Sequence, residues 1–243
     1  MFTGVLLIVV ATSSLLVGAG HVIQLSVEEE QPIRTLVGSV RENPDVADLT
    51  SSAESLRFNF RFSSGHYELF SIDNETGDIH TSRRVDREQL CPSNRRRSSS
   101  SDCSLELDVT VLPLKFYRVL KVSVNVVDVN DNSPSFPQPR ISLEMRESSS
   151  VGTRLAVPIA DDPDVGQFAV QHYELTQSSD VFRLTVSDTF DLWLTLARGL
   201  DRERESSYSV TITAYDAGTP SKSGSVHIQV LNTLQTSSSV CVL

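Results

Sequence analysis

Positive charge is scarce in this chain. Its 21 Lys and Arg stand against 31 Asp and Glu, a formal net charge of −10 over 243 residues. Such a surface repels phosphate backbones, which excludes nucleic acid as a partner and suits divalent cations instead. The chain also lacks a second long apolar run. Val5-Leu6-Leu7-Ile8-Val9-Val10, followed by Gly18-Ala19-Gly20, lies in an uncharged N-terminal stretch. Residues 1–20 read as a secretory signal peptide, with a buried N-terminal helix as the other reading. Nothing later approaches the roughly 20 apolar residues of a membrane span. The expectation is a secretory-pathway product, extracellular or at the cell surface. Cysteine is sparse too, with three residues. Cys91 and Cys103 flank the basic, serine-rich loop of residues 92–102 and are read as closing it by a disulfide, which leaves Cys241 over. The five histidines (His21, His66, His80, His172, His227) form no zinc spacing with a cysteine pair. Neither a Gly-x-Ser-x-Gly motif nor a phosphate-cradling glycine loop is present, so nothing asks for nucleophilic or nucleotide chemistry.

What the chain has in abundance is alternation. Phe58, Phe60 and Phe62 alternate with polar residues, as do Val122, Val124 and Val126, then Leu192, Leu194 and Leu196, then Val210 and Ile212, then Val226, Ile228 and Val230. Period two, broken by Gly, Pro, Asn, Asp and Ser clusters, marks the half-buried strands of an all-β sandwich. The chain also repeats itself. Val85-Asp86-Arg87-Glu88 returns as Leu200-Asp201-Arg202-Glu203, and the strand beginning at Val122 returns at Val226. This pairs Asp128 with Asn232 and puts the excess length of the first copy in its cysteine loop. Two domains follow, residues 21–132 and 137–232, with the boundary near Ser133–Pro139 and a divergent tail over 233–243. Asn74-Glu75-Thr76 is a glycosylation sequon placed in a turn before Gly77.

The densest chemistry is Asp128-Val129-Asn130-Asp131-Asn132, which closes an alternating run ahead of Ser133-Pro134. Two carboxylates, two amides and the intervening carbonyls could make a polar turn. They also suit calcium, which takes about 6–8 oxygen ligands. An EF-hand is excluded by spacing: counting from Asp128, position six is Ser133 instead of Gly and position twelve is Pro139 instead of Glu.

Together these motifs resemble the cadherin superfamily. Glu29-Glu30-Gln31-Pro32, Phe70-Ser71-Ile72-Asp73 with Thr76-Gly77, the run from Asp86 to Cys91, and Tyr215-Asp216-Ala217-Gly218-Thr219-Pro220 resemble its protocadherin branch, of the non-clustered type. The resemblance covers residues 21–232. It implies two tandem Greek-key β-sandwich repeats joined by a calcium-binding linker. It also implies calcium ligands at Glu29 (with Glu28 or Glu30 as one-residue alternatives), Asp86, Glu88, Asp128, Val129, Asn130, Asp131, Asn132, Asp162, Asp164 and Asp216. Val129 and Asn132 would act through backbone carbonyls, as would Phe168, where the family often has Asn.

Glu147, Asp201 and Glu203 would begin a second linker. Leu231-Asn232-Thr233-Leu234-Gln235-Thr236 stands where its acidic string is expected, so that linker is incomplete and unfilled or weak. Classical cadherins exchange a strand anchored by an early Trp; Trp193 lies in the second repeat and reads as a packing residue. The implied function is calcium-dependent, largely homophilic cell–cell adhesion at the plasma membrane, with calcium as cofactor and another cadherin-like chain as partner. Two repeats alone would bind weakly. The other readings are a soluble truncated fragment, competing or without function of its own, and an extracellular β-sandwich hydrolase. Asp86 with Glu88 as a glycosidase pair would need a sugar cleft, and a shared cation explains these acids better. Arg95-Arg96-Arg97 reads as a solvated loop.

Overall fold

The computed structural model describes residues 22–47, 55–61, 66–92, 102–177, 180–187 and 191–234. The proposed signal peptide, Phe62, Arg95–Arg97, Cys241 and the tail beyond 234 lie outside these. The described chain is almost wholly β. Its strands are β1 (Ile23–Glu28), β2 (Leu36–Ser39), β3 (Arg57–Phe60), β4 (Phe70–Ile72), β5 (Asp78–Thr81), β6 (Ser104–Leu112), β7 (Arg118–Val127), β8 (Arg140–Arg146), β9 (Arg154–Val157), β10 (His172–Gln177), β11 (Phe182–Val186), β12 (Leu192–Leu196), β13 (Ser207–Tyr215) and β14 (Ser223–Thr233).

In the first repeat the sheets run β1-β7-β6-β3 and β2-β5-β4; in the second, β8-β14-β13-β10 and β9-β12-β11. Each is a seven-stranded sandwich, and the two share one strand order. The alternation read from the sequence sets the inward faces. Phe58, Leu107, Val109, Val122 and Val124 are buried in the first repeat. In the second, Phe182, Leu192, Leu194, Leu196, Val210, Ile212, Val226, Ile228 and Val230 pack into one core. Antiparallel pairing runs from Ser104↔Asn125 to Val111↔Arg118 in β6–β7, and from Ser207↔Leu231 to Tyr215↔Ser223 in β13–β14. Trp193 sits in β12 opposite Thr185 and Ala156. Cys91 and Cys103 are joined, with their Cα atoms 5.8 Å apart.

The chain separates into two compact units. One holds the described parts of residues 1–27, 31–84 and 104–125; the other holds 28–30, 85–103 and 126 onward. The segment 133–139 thus belongs to the second unit. There the Ser135 and Asp161 amides donate to each other's carbonyls at 2.7 Å, and Phe136 packs on the second core.

Hydrogen bonding corrects one part of the repeat alignment. The Glu29 amide donates to Val127 O and the Glu147 amide to Thr233 O, each at 3.0 Å. The Val126 amide donates to Cys103 O, and the Asn232 amide to Ser206 O. Asn232 therefore stands in the place of Val126, and Leu234 in the place of Asp128. Asp86 to Asp128 spans 42 residues and Asp201 to Leu234 spans 33. A two-residue slip keeps every side chain on its own face, so alternation alone could not detect it.

Candidate metal centre

Every acid proposed as a ligand in the first set lies in the second unit. They arrive on segments 28–30, 85–88 and 128–132, which continue the chain beyond β1, β5 and β7, and on the loops at 161–168 and 216–222 of the second sandwich. Glu29 has 0 % of its surface exposed. Its Oε2 accepts from the Arg87 amide at 2.7 Å and its Oε1 from the Val129 amide at 3.1 Å, so one carboxylate ties two other segments together. Asp86 caps the helical turn Arg87–Leu90: Oδ1 accepts from the Gln89 amide at 2.8 Å, and Oδ2 from Gln89 Nε2 at 2.6 Å. An Asp at this position satisfies an amide that the turn leaves unpaired.

From the second sandwich, Asp128 Oδ2 accepts from the Val165 amide at 2.9 Å. Asp164 accepts from the Asn132 amide at 3.2 Å and from Asn132 Nδ2 at 2.7 Å; the same Nδ2 donates to Asp131 Oδ1 at 2.6 Å. Asn130 Nδ2 donates to Pro220 O at 3.1 Å. Asp216 Oδ1 accepts from the Gly218 and Lys222 amides, which close its loop.

Three carboxylate triads result, each with one oxygen per residue within 4.8 Å of the other two: Glu29-Asp86-Glu88, Glu29-Glu30-Asp131 and Glu88-Asp131-Asp164. They overlap through Glu29, Glu88 and Asp131. Asp128, Asp162, Asp216 and Asn130 lie outside the triads but are linked to them. The Asp164 amide donates to Asp162 Oδ1 at 3.4 Å, and Asp162 feels the charge of both Asp164 and Asp216. The backbone candidates are less clearly placed. The Val129 carbonyl already accepts from the Asp131 amide at 2.8 Å. Asn132 takes part through its side chain as well as its backbone. Phe168 ends a one-turn helix, Gly166–Phe168, that starts just after Val165.

The electrostatics report crowding. Burial, a hydrogen bond with Glu29 and the charges of Glu29 and Asp128 push the Glu88 carboxyl up to about 8. Burial and the neighbouring Asp164 raise Asp162 to about 6. Burial also raises Asp128 and Asp164, against the amides that donate to them. Asp216 is the exception. Burial pushes it up, but the Lys222 and Gly218 amides and the Asn130 side chain outweigh this and hold it below the usual range.

Sequence reasoning gave Arg87 no role. It is 2 % exposed, with Nη1 3.5 Å from Glu88 Oε1 and 3.6 Å from Asp128 Oδ1, an internal cation among the acids. Gly218 entered only as a letter of its motif and likewise had no role of its own. A Cβ there would collide with the Asn130 amide. The signal for Arg87 was its place between Asp86 and Glu88. For Gly218, only a contact 88 residues away in sequence explains the need.

The second set is arranged differently. Glu147 Oε1 accepts from the Arg202 amide at 2.9 Å and Asp201 Oδ1 from the Arg204 amide at 3.1 Å. Among the described residues, however, no carboxylate triad includes Glu147, Asp201 or Glu203.

A cadherin domain profile matches residues 141–231, and a profile for the FAT4-like, N-terminal cadherin-like domain matches residues 20–112. The chain belongs to the cadherin superfamily, among the protocadherins. It is 35% identical to mouse Protocadherin 18 over 209 residues, covering 83% of this chain and 18% of the relative. It is 31% identical to human Protocadherin-11 X-linked over 212 residues, covering 84% and 16%. The chain thus spans less than a fifth of the curated relatives it matches. Among solved structures, the Protocadherin Gamma C5 EC1-3 crystal structure superposes with a TM-score of 0.72 at 33% identity, covering 87% of this chain and 65% of that one. The mouse clustered PcdhgC3 EC1-3 structure gives 0.72 at 32% identity, covering 87% and 65%. The family is one of adhesion proteins, which are not enzymes.

Proposed function

We propose that this cadherin module adheres in a calcium-dependent, homophilic manner, with calcium held by Glu29, Asp86, Glu88, Asp128, Asn130, Asp131, Asp162, Asp164 and Asp216. The observation that carries the reading is the combination of overlapping triads with buried oxygens that accept no hydrogen bond. Asn130 Oδ1, Asp162 Oδ2 and Asp216 Oδ2 are all of this kind, whereas Asp128 Oδ1, which also accepts none, stands 3.6 Å from Arg87 Nη1. A buried acceptor left unpaired costs about 1–3 kcal/mol, so three of them on neighbouring residues call for a cation. The donor set is all oxygen, hard and anionic, as calcium prefers and zinc does not. Calcium supplies positive charge. At about 4 Å and an effective dielectric of 20, each carboxylate pair otherwise repels by about 4 kcal/mol. Arg87 offsets part of that repulsion. Binding at about 10⁻⁴–10⁻³ M, usual for extracellular modules, fits the secretory and cell-surface location proposed with it.

Limited proteolysis of the whole chain tests the metal. Cleavage within residues 128–139 is suppressed by millimolar calcium and restored by EDTA; equal cleavage in both conditions overturns the reading. Homophily is tested by bead aggregation. This chain alone aggregates weakly, and only with calcium. Strong aggregation, or aggregation indifferent to chelator, counts against it.

A further inference from the structure

We propose that Asn74 carries an N-linked glycan, rooted in the turn between β4 and β5 and screening the neighbouring edge of β3. This rests on the secretory location proposed above and is independent of calcium. Asn74-Glu75-Thr76 is the only Asn-x-Ser/Thr sequence in the chain, and all three residues are exposed. Other residues hold their turn. Asp73 Oδ1 accepts from the Glu75 and Thr76 amides at 2.8 Å each, and the Gly77 amide donates to Asp73 O at 2.9 Å. Gly77 supplies the left-handed position, with φ = 77°. Asn is often placed in turns because it tolerates that conformation. Asn74 is not used in this way: among the described non-glycine residues only Glu30 (φ = 60°) and Arg34 (φ = 69°) have positive φ.

The side-chain contacts leave the amide ready for attachment. Arg57 Nη1 donates to Asn74 Oδ1 at 3.3 Å and to Glu75 Oε1 at 2.6 Å. A guanidinium only donates, so the amide oxygen must face it. Nδ2, the atom that an oligosaccharide joins, makes no hydrogen bond among the described residues. Attachment replaces one N–H and keeps the oxygen, so the Arg57 contact survives. Thr76 has a structural partner of its own, since its Oγ1 donates to Asp78 Oδ2 at 2.8 Å. The Asn74 side chain has only the long Arg57 contact, which a turn does not require. The Cys91–Cys103 disulfide belongs to the same oxidising pathway in which the glycan is transferred.

Position decides what the glycan does. β3 is the outer strand of one sheet and β4 of the other, and the Phe58 amide on β3 donates to Asn74 O at 3.0 Å. The turn thus lies beside two outer strands, whose free backbone groups can pair with a second chain. A bulky, solvated glycan on that side blocks such pairing.

The test translates the full chain with mammalian rough microsomes. Protease protection reports entry into the lumen, and PNGase F removes any glycan. Wild type and Thr76→Ser should be protected and should each lose the mass of one glycan. Asn74→Gln should be protected and unchanged by the enzyme. Protected wild type without a glycan overturns the inference and leaves the location standing. Unprotected wild type overturns the location, and the inference with it. For the screening, wild type secreted from animal cells is compared before and after native PNGase F treatment by sedimentation velocity, in EDTA to exclude calcium-dependent adhesion. Removal of the glycan should raise the self-associated fraction, and secreted Asn74→Gln should match the treated sample. An unchanged fraction overturns the screening role.

Discussion

Two frames at different places in the second unit are built alike and equipped differently. Glu29 and Glu147 each donate a backbone amide to the strand ending at Val127 or Thr233, and each accepts the amide that follows an Asp, at Arg87 or Arg202. Asp86 and Asp201 each cap the next turn through the amide three residues on. From there the frames part. The first continues into Asp128–Asn132 and receives Asp162 and Asp164; the second continues into Leu234, which is 56 % exposed. The hydrogen-bonded skeleton is thus common to both frames, while the carboxylate triads belong to the first alone among the described residues. Glu and Asp at these positions serve the backbone first, and the proposed cation site belongs to the frame where further oxygens reach them. An Asp-Arg-Glu motif alone therefore shows a capped turn, not a ligand.

That contrast can be broken most forcefully at the two glutamates. Glu29→Ala leaves the buried Arg87 and Val129 amides without an acceptor, at about 1–3 kcal/mol each. Chemical denaturation in saturating calcium should show a loss of about 3 kcal/mol, and calcium affinity should collapse. Glu147→Ala removes one bond at a half-exposed site and should cost about 0.5–1 kcal/mol, with calcium binding untouched. Equal losses from both would mean that the first frame has no special role.

Gly218→Ala comes next. Its new methyl group requires Asn130 to swing away from Pro220 and Asp216. The expected cost is about 1 kcal/mol with weakened calcium binding. Gly199→Ala, which meets nothing within 4 Å, should be neutral in thermal melts and titration.

Proton linkage sharpens the contrast further. Glu88 and Asp162 have folded-state pKa values raised to about 8 and about 6 from ordinary values of 4.5 and 3.8. Between the unfolded and folded values the native state binds more protons, so metal-free stability falls as pH rises. Melting temperatures in EDTA should decline from about pH 5 to about pH 8. Calcium, which needs the ionised forms, should reverse that trend and release protons on binding. A metal-free melting temperature that rises across this window contradicts the assignment.

The smallest effect belongs to Asn232. It is 4 % exposed, in the place of Val126, with a buried Oδ1 that accepts no hydrogen bond. Asn232→Val should stabilise by about 1 kcal/mol without altering calcium binding. If Asn232 instead stood in the place of Asp128, the substitution would fall outside the core and gain nothing.

The fold was legible because period-two alternation is written in apolar residues: Val122, Val124, Val126, Leu192, Leu194 and Leu196 are all buried. The acids were legible as a set because they sit in recurring strings. Three features were not. The register of β14 slipped by two residues, since an even shift preserves the pattern. Arg87 lies in a string read for its two acids, and nothing in that string signals its burial. The convergence of Glu29 with Glu30 depends on one backbone angle that no string of letters records.

The most direct measurement is calorimetric calcium titration of the full chain beside two double variants, Asp131→Asn/Asp164→Asn and Glu147→Gln/Glu203→Gln. Wild type should bind at about 10⁻⁴–10⁻³ M, the first variant should lose that binding, and the second should match wild type. Binding that survives the first pair, or that disappears with the second, would contradict the account.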